Sequence, residues 1–442
     1  MILIPNDAEY AINTLVKNGY EAYLVGGYVR NSLMGLATTD CDITTSATPD
    51  EVIKVFKGLK VIETGLKHGT VTVIINGTPL EITTFRIDEN YKDNRHPESV
   101  TFTKSIGEDL ARRDFTVNAM AYNAKSGIID RFGGLDDITS GIIRAVGDPN
   151  ERFNEDALRI MRAIRFAAVL GFEIEPKTKD AIFKNKYLLL NVSSERIFTE
   201  LVKLICGKNA ANVICEYYAV LEVILPEIKG MAGFDQKAPH HIYDVLKHTA
   251  VALENIEALK HLRLAALLHD CGKPQCFTTD QNGIGHFKGH PEVSAKKAKE
   301  ALLRLKADNE TTLNVVRLIA HHDDAIPLTK AGVKRALNSL TPQGFFDLMK
   351  LKRADNLAKG DLAKFRLGEA ETLYKIGKEI MDNNECFSLK QLAVNGDDLM
   401  ILGIPKGKKL GDALNTLLNA VVDEQVKNEK NSLIEYAKNH IA

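Results

Sequence analysis

The sequence predicts an α+β protein with more than one domain. Short β-branched runs alternate with helical stretches as far as about residue 145. After Pro149, apolar residues recur at the helical period of about 3.6 residues as far as the C-terminus. The chain has 442 residues, 45% of them hydrophobic, which is more than one core usually supports. We therefore expect a mixed N-terminal domain followed by an all-helical remainder.

Two strands of the N-terminal domain can be read directly from the sequence. Residues 21–25, Glu-Ala-Tyr-Leu-Val, and residues 71–75, Val-Thr-Val-Ile-Ile, are short runs rich in strand-forming side chains. Asn76 and Gly77 separate the second run from another one at residues 80–85. Asn-Gly between two such runs is typical of a β-hairpin turn.

Composition limits the classes of protein that this chain can be. No apolar run approaches the roughly 20 residues that span a bilayer, and the first residues lack the basic region of a secretory signal, so we expect a soluble, cytoplasmic protein without membrane contact. The six cysteines form no Cys-x-x-Cys pair, which argues against a zinc ribbon or disulfide framework. A net charge of −1 means that any nucleic acid must bind to local basic surface.

Residues 24–30, Leu-Val-Gly-Gly-Tyr-Val-Arg, are the first candidate for a phosphate-binding element. An apolar strand ends here, Gly26 and Gly27 follow, and a helix then begins that carries Arg30. Glycines let backbone amides approach an anion, and a helix N-terminus adds about half a positive charge. This pattern suits a triphosphate, although a diglycine before a helix is more often only a turn.

Asp40 and Asp42 are the candidate metal ligands and catalytic carboxylates. Residues two apart on a strand face the same side, with their backbones about 6.6 Å apart. Two magnesium ions can bind between such carboxylates and the phosphates of a nucleotide. The pattern is also common on solvated strands. Glu81, on the strand that follows the hairpin turn, is a candidate third carboxylate.

Three ordered runs carry a family resemblance. Residues 24–30, residues 39–45 (Thr-Asp-Cys-Asp-Ile-Thr-Thr) and residues 112–119 (Arg-Arg-Asp-Phe-Thr-Val-Asn-Ala) resemble the head of class II tRNA nucleotidyltransferases and bacterial poly(A) polymerases, in the polymerase-β-like superfamily. The resemblance implies a head with a small mixed sheet at residues 1–145. One departure is Asn31, where the family commonly has aspartate at a position that is not a metal ligand.

The resemblance also implies roles for individual residues of the head. In the family, the diglycine and its arginine hold the triphosphate, the Asp-x-Asp pair holds magnesium, and the Arg-Arg-Asp element contacts phosphate and the ribose 2′-hydroxyl. The matching positions in this sequence are Gly26, Gly27 and Arg30, then Asp40 and Asp42, then Arg112, Arg113 and Asp114.

Residues 155–162 are the candidate element for choosing the nucleotide. We expect one helix with Glu155, Arg159 and Arg162 on one face and Asp156 alongside. An ion pair on a solvated helix is the ordinary explanation. Cytosine and adenine, however, each present an amino donor beside a ring-nitrogen acceptor, which a carboxylate and a guanidinium would match. Residues 148–167 resemble the nucleotide-selecting motif of the family, which favours this second role.

Three further segments resemble family motifs. Residues 132–137 resemble the hinge between the head and a helical neck. We place the neck at residues 146–225. Residues 193–201 resemble the last neck motif and otherwise predict a capped helix. Residues 86–97 are polar and are placed like the flexible loop of the family, which is shortened in members that add only CC.

The body, residues 226–360, contains a second candidate metal site. His248, His269, Asp270 and Asp355 follow the order H…HD…D of HD-type phosphohydrolases, and they are the first-choice ligands of a divalent metal whose identity stays open. His290 and His321 are candidates for a second metal. The resemblance implies phosphatase or phosphodiesterase activity on phosphorylated or cyclic 3′ ends. The alternative is an inherited scaffold without chemistry.

The tail, residues 361–442, contains lysine-rich helical stretches that resemble the tRNA-binding end of the family. Together these features predict template-independent addition of C and A, from CTP and ATP, to the 3′ end of tRNA. The reaction would be a two-metal phosphoryl transfer in which the 3′-hydroxyl attacks the α-phosphate and pyrophosphate leaves. The sequence allows either full CCA addition or addition of the last A alone. It also allows either a monomer or a homodimer.

Three rival functions have to be weighed. A poly(A) polymerase with the same head would extend RNA with ATP and ignore CTP. A metal phosphohydrolase acting on RNA ends would use the head only to bind RNA. An enzyme of alarmone metabolism also joins HD and nucleotidyltransferase modules, but with the HD module first, which is the reverse of the order here.

Overall fold

The computed structural model describes residues 2–38, 41–91, 97–238, 242–360 and 364–441. The chain divides into two compact units, Met1–Ile224 and Leu225–Ala442. The first unit contains a seven-stranded sheet, and the second is built mainly from helices. The predicted α+β class with a helical C-terminal part is confirmed. The four-part division into head, neck, body and tail stays a prediction.

The helices and strands of the first unit follow in chain order. Its helices are α1 (Asn6–Lys17), α2 (Gly27–Leu33), α3 (Pro49–Val55), α4 (Ile106–Ala111), α5 (Gly134–Ser140), α6 (Pro149–Glu155), α7 (Leu158–Leu170), α8 (Pro176–Asn185), α9 (Ser194–Ile205), α10 (Ala210–Glu216) and α11 (Tyr218–Ile224). Its strands are β1 (Ala22–Val25), β2 (Asp42–Thr45), β3 (Lys60–Ile62), β4 (Thr70–Ile75), β5 (Thr78–Thr84), β6 (Arg86–Tyr91), β7 (Pro97–Phe102), β8 (Met120–Asn123), β9 (Gly127–Asp130), β10 (Ile142–Ile143) and β11 (Glu173–Ile174).

The second unit has two short strands among its helices. The helices are α12 (Val245–Glu254), α13 (Lys260–Leu268), α14 (Lys273–Cys276), α15 (His290–Arg304), α16 (Asn309–His321), α17 (Lys330–Leu340), α18 (Pro342–Leu357), α19 (Lys364–Asp382), α20 (Gly396–Ile401), α21 (Lys408–Val422) and α22 (Lys430–His440), and the strands are β12 (Thr278–Thr279) and β13 (Gly285–His286). In the part of the chain that is described, no helix combines the length and the apolarity needed to cross a bilayer.

The main sheet is mixed and has the strand order β3-β4-β5-β2-β1-β8-β9. Its neighbouring strands are antiparallel except β2 and β5, which are parallel. Strand β1 is buried along its whole length, because its side chains enter two different cores. Leu24 packs in the core with α1, whereas Tyr23 and Val25 point to the opposite face and pack near Phe85. The sheet is thus covered on both faces beside the diglycine.

The hairpin predicted at Asn76 and Gly77 is confirmed. Strands β4 and β5 pair antiparallel as far as Ile75 and Thr78. Asn76 has φ 48° and Gly77 has φ 87°, so both turn residues are in the left-handed region. A two-residue hairpin with positive φ at both positions matches the right-handed twist of the strands, and Asn-Gly adopts it at low steric cost.

The single helix predicted over residues 155–162 is wrong. Helix α6 ends at Glu155, and Asp156 is extended with φ −137° and ψ 103°. Helix α7 begins at Leu158, whose N–H donates to Asp156 Oδ1 at 3.1 Å. A side chain that bonds the backbone locally in this way competes with the continuous helical ladder. Asp156 therefore lies at a corner between two helices.

Two other expectations about local structure need correction. The all-helical remainder is interrupted by the short ladders β10–β11 and β12–β13. The predicted loop at residues 86–97 is largely a two-stranded ribbon, because β6 and β7 pair antiparallel from Arg86 with Phe102 to Tyr91 with Pro97. Residues 92–96 lie outside the described residues.

Gly77→Ala should lower the free energy of unfolding by about 1 kcal/mol, because an L-residue at this φ is strained. Urea denaturation followed by circular dichroism measures the change. Gly368→Ala in helix α19 is the control, since a Cβ there meets no other atom within 4 Å and alanine favours a helix. Equal shifts for the two variants would contradict the turn assigned here.

Candidate active site in the head and candidate metal centre in the body

Two guanidinium groups lie along the diglycine backbone. A Cβ added at Gly26 would lie 3.3 Å from Arg113 Nη1, and one added at Gly27 would lie 3.7 Å from Arg30 Nη2. Gly26 also has φ 68°, which favours glycine. The absence of side chains at these two positions leaves the backbone open beside two positive charges.

Arg30 is buried, and the hydrogen bonds of its guanidinium group go to neutral amides. Its Nη1 donates to Asn118 Oδ1 at 2.5 Å, and its Nε donates to Asn31 Oδ1 at 3.0 Å. Burial lowers the pKa of Arg30 to about 10, and the nearby charges of Arg165 and Arg162 act in the same direction. Since the arginine stays protonated at neutral pH and these acceptors carry no charge, Arg30 is well suited to face an anion.

Asp42 and Glu81 lie opposite each other on neighbouring strands. They are register partners in the parallel pair of β2 and β5, so their side chains share one face of the sheet. Both residues are exposed. Carboxylate oxygens are the ligands that magnesium prefers, and the pair fits such an ion. Asp40, the predicted partner of Asp42, lies outside the described residues.

Asp109 anchors the predicted Arg112 and Arg113, and the sequence interpretation did not include it. Its Oδ1 accepts from Arg112 Nη2 at 2.8 Å, and its Oδ2 lies 3.3 Å from Arg113 Nη2. The Asp109 side chain is fully buried. Burial alone would raise the pKa of Asp109, but the two arginines lower it. A carboxylate three and four residues before two arginines was the available signal.

Asp114 joins the head to helix α7. Its Oδ2 accepts from Arg162 Nε at 2.7 Å, and its Oδ1 accepts from Asn118 Nδ2 at 3.2 Å. Burial opposes ionisation, but the charges of Arg162 and Arg159 lower the pKa of Asp114 to about 2. The two predicted residues Asp114 and Arg162, which are far apart in the sequence, are therefore partners in one ion pair.

Three arginines surround the Phe166 ring, and one of them, Arg162, is the ion-pair partner of Asp114. The guanidinium carbons of Arg30, Arg162 and Arg165 lie 4.9, 5.4 and 3.8 Å from the ring centre. Arg165 also pairs with Glu200, Nε to Oε2 at 2.5 Å. Among the described residues, these three positive groups have two carboxylate partners, Asp114 and Glu200, which favours an anionic ligand. Sequence reasoning missed Arg165, Phe166 and Glu200, because nothing in their spacing predicted that α9 packs on α7.

The predicted selecting residues lie together at the corner before α7. Arg159 Nη1 donates to Glu155 Oε2 at 2.6 Å, and its Nη2 donates to the Arg112 carbonyl at 2.9 Å. Asp156 Oδ2 accepts from Arg196 Nη2 at 2.8 Å. Each of the two selecting residues therefore has an oppositely charged partner of its own.

In the second unit, the four predicted metal ligands form one buried cluster. His248, His269, Asp270 and Asp355 each offer a ligand atom within 4.8 Å of the others. His248 Nε2 lies 3.3 Å from Asp270 Oδ2 and 3.0 Å from Asp355 Oδ1. His269 Nε2 lies 3.2 Å from Asp270 Oδ2. Lys273 Nζ lies 2.8 Å from the same oxygen.

A second cluster uses the other oxygen of Asp270. His290 Nε2 lies 3.3 Å from Asp270 Oδ1, and His322 Nε2 lies 3.7 Å from it. The prediction of His321 is wrong, because that side chain is exposed and its Nδ1 lies 2.7 Å from Asp324 Oδ2. Adjacent residues at a helix end point about 100° apart, so only one of the two histidines faces the interior.

All four buried imidazoles are oriented in the same way. The Nδ1 atoms lie within hydrogen-bonding distance of backbone carbonyl oxygens, which can only accept, so Nδ1 carries a hydrogen and Nε2 points inward. The distances are 3.2 Å from His248 to Ala358, 2.8 Å from His269 to Ala266, 2.8 Å from His290 to Phe287 and 2.7 Å from His322 to Ile319. This arrangement is typical of histidines that hold a metal.

The facing nitrogens support the same interpretation. His248 Nε2 and His269 Nε2 are 3.4 Å apart, and His290 Nε2 and His322 Nε2 are 3.1 Å apart. Two such nitrogens at this distance must share a proton or a cation. A cleft of about 570 Å³ opens beside the clusters and is lined by Lys288, Lys359 and Arg366 among others. His286 stays outside the clusters, exposed and 3.2 Å from Asp280.

Comparison with known proteins gives independent information on the family. Family models match residues 22–144 as the poly A polymerase head domain, residues 171–231 as "Probable RNA and SrmB- binding site of polymerase A", and residues 277–437 as tRNA nucleotidyltransferase domain 2. A CCA-adding enzyme of Ligilactobacillus salivarius is 34% identical over 454 residues, which cover 98% of this chain and 97% of that protein. The chain belongs to the CCA-adding enzyme family.

Solved structures of this family agree with the assignment. The CCA-adding enzyme of Bacillus stearothermophilus, in complex with CTP, matches at a TM-score of 0.73 and 30% identity over 98% of this chain and 97% of that one. The Thermotoga maritima CCA-adding enzyme complexed with tRNA matches at a TM-score of 0.61 and 22% identity, over 98% and 95%, and thus shares the fold. The family predicted from the sequence is confirmed.

Asp114→Asn should lower the free energy of unfolding at pH 7 by about 2 kcal/mol, less than for a fully buried pair because the Arg162 side chain is 34% exposed. The folded-state pKa of Asp114 is lowered to about 2 from 3.8. Its contribution is therefore present above about pH 4 and is lost as the pH falls toward 2.

Urea denaturation of wild type and variant at pH 7 and at pH 3 checks this prediction, and the difference in stability should be smaller at pH 3. Asp136→Asn, at an exposed carboxylate of the same unit, is the control and should change little at either pH. A difference that grows as the pH falls would show that the sign of the coupling is wrong.

Proposed function

We propose that this chain adds C and A nucleotides, from CTP and ATP, to the 3′ end of tRNA without a template. Its membership of the CCA-adding enzyme family supports this, and the relative of 30% identity is a CCA-adding enzyme in complex with CTP. One observation in the molecule carries the proposal. Gly26 and Gly27, with Arg30 and Arg113 beside them, directly follow β1. Strand β1 pairs with β2, which begins at the exposed Asp42, and Asp42 is the register partner of the exposed Glu81.

The arginines would hold the triphosphate. Arg30 and Arg113 lie along the diglycine backbone, where they can neutralise phosphate oxygens. Arg112 and Arg113 are fixed by Asp109, so their guanidinium groups are ordered before a nucleotide arrives. Asp114 would accept a hydrogen bond from the ribose 2′-hydroxyl, since a carboxylate with a pKa of about 2 is an acceptor at neutral pH.

The carboxylates at the start of β2 and on the neighbouring strand β5 would hold the metal. Asp42, together with Asp40 and with Glu81 on the neighbouring strand, supplies oxygen ligands of the type that magnesium takes. Bound magnesium would polarise the phosphate and the attacking hydroxyl. Arg30 and Arg113 would receive the charge of the departing pyrophosphate.

Asp156 and Arg159 would select the base. The carboxylate accepts from the exocyclic amine of cytosine or adenine, and the guanidinium donates to the adjacent ring nitrogen. Guanine and uracil present a carbonyl and an N–H at these positions, so both contacts would become unfavourable. Glu155 holds Arg159 in place, and Arg162 connects this corner to Asp114.

The main alternatives are a poly(A) polymerase and an enzyme that adds only the last A. The expected result separates them from CCA addition. tRNA ending at the discriminator base, given CTP and ATP together, should gain three nucleotides and then stop. Gel analysis with labelled CTP or ATP on this tRNA, and on tRNA already ending in CC, is the measurement. A long A tail, or addition only to the CC substrate, would contradict full CCA addition.

Asp42→Asn should reduce the rate of C addition about 100-fold or more, because a carboxylate that holds charge at the reacting phosphate is lost. Single-turnover assays with saturating CTP measure the chemical step. Asp50→Asn is a matched control at an exposed aspartate of the same unit and should keep nearly full activity. A rate for Asp42→Asn close to that of the control would contradict a role of Asp42 in the mechanism.

We also propose that the body is a metal-dependent phosphohydrolase acting on phosphorylated or cyclic 3′ ends. The observation that favours it is the shared Asp270, whose two oxygens face two histidine sets with inward Nε2 atoms. Lys288 and Arg366 line the adjacent cleft and would attract phosphate, whereas Lys359 pairs with Asp355. A divalent metal bound there would activate water for the hydrolysis.

Asp270→Asn should lower the content of bound divalent metal, because one carboxylate serves both clusters. Mass spectrometric metal analysis of the full chain after loading with manganese, nickel or zinc is the measurement. Hydrolysis of RNA ending in a 2′,3′-cyclic phosphate should fall in parallel. Asp280→Asn, beside the exposed His286, is the control. Equal metal content in both variants would refute the site.

A further inference from the structure

Arg196 is the partner of Asp156 that the sequence interpretation left without a role. It lies in the first turns of α9, and its Nη2 donates to Asp156 Oδ2 at 2.8 Å. The other oxygen of Asp156 accepts from the Leu158 N–H at 3.1 Å. Both oxygens of this carboxylate thus have a donor that fixes their direction. Because each oxygen has a second lone pair, each can still accept one more hydrogen.

The corner between α6 and α7 makes such a partner necessary. Asp156 is extended and belongs to neither helix, so the helical backbone does not fix its direction. Arg159 lies three residues later, in α7, and carries the opposite charge. If Asp156 and Arg159 paired with each other, their carboxylate and guanidinium groups would no longer be available to bond the base. Instead, Asp156 takes Arg196 and Arg159 takes Glu155.

Helix α9 is packed firmly enough to hold Arg196 in a fixed position. Ile197, Leu201 and Leu204 are buried on its inner face. Four residues after Arg196, Glu200 pairs with Arg165 of α7. Residues four apart share one face of a helix, so α9 makes two ion pairs with α7 and the corner before it. The Asp156 and Arg196 side chains are 19% and 27% exposed, so water screens their pair only in part.

We propose that Arg196 is a positioning residue for nucleotide selection, which holds the Asp156 carboxylate beside Arg159 and prevents the two selecting residues from pairing with each other. The inference rests on the proposed function, because it assigns Arg196 to the same choice of C and A. In this role Arg196 acts only through Asp156. Its loss should therefore reduce discrimination, by letting Asp156 turn away, more than it reduces the chemical step.

The experiment compares Arg196→Met with Arg196→Lys. The two replacements have similar length, but only lysine keeps the charge. Steady-state kcat/KM is measured for CTP, UTP, ATP and GTP on tRNA ending at the discriminator base or in CC. We expect the preference for CTP over UTP, and for ATP over GTP, to fall about tenfold in Arg196→Met, or about 1.4 kcal/mol. Arg196→Lys should keep part of that preference.

Two controls separate positioning from a general loss of structure. Lys179→Met removes another ion pair of the same unit, with Glu216, and should leave the preference unchanged. In an Asp156→Ala background, Arg196→Met should cause no further loss of preference, because the residue through which it acts is absent. Thermal denaturation of each variant confirms that the folded protein is compared.

The outcomes are distinct. Equal losses for all four nucleotides, equal behaviour of the methionine and lysine variants, or an additive loss in the Asp156→Ala background would each overturn the role of Arg196. If the wild-type chain adds neither C nor A, this result would instead contradict the proposed function. If the wild type adds CCA and Arg196→Met keeps its full preference, then only the inference about Arg196 fails.

Discussion

The burial of Asp114 is the constraint on which the first unit depends. A carboxylate that is 8% exposed must be compensated, because an uncompensated buried charge is strongly destabilising. The compensation comes from Arg162 on α7 and from Asn118 in the head. Asn118 in turn accepts from Arg30 beside the diglycine. One buried charge thus ties the diglycine element, for which we propose phosphate binding, to helix α7, which begins at the corner formed by Asp156.

Other charges around the corner between α6 and α7 are also compensated by a charged partner. Asp109 compensates Arg112 and Arg113, Glu155 compensates Arg159, and Glu200 compensates Arg165. Among the described residues around Phe166, positive groups nevertheless exceed their carboxylate partners, which favours an anionic ligand. In the second unit Asp270 is also buried, and its neighbours are imidazoles and the Lys273 ammonium group rather than guanidinium groups. Imidazoles whose Nδ1 is held by carbonyl oxygens offer lone pairs, so this cluster suits a cation and not an anion.

Motifs whose residues are close in the sequence were predicted well. The Asn76-Gly77 turn, the diglycine before α2 and the His269-Asp270 pair at the end of α13 depend on local backbone preferences, which the sequence contains. The helix over residues 155–162 was predicted wrongly, because a side-chain bond from Asp156 interrupts it. His321 was preferred over His322, because the choice depends on which side of α16 faces the interior.

The sequence by itself predicted the α+β class with a helical C-terminal part, the residue types of both candidate sites and the family to which the chain belongs. These follow from short motifs in which spacing and chemistry are read together. Only the tertiary structure decided which charges are partners: Asp114 with Arg162, Asp156 with Arg196, and Asp270 with two histidine sets. Such pairs join residues far apart in the sequence. Their choice depends on how helices pack and on which groups are removed from water, and no local spacing contains that information.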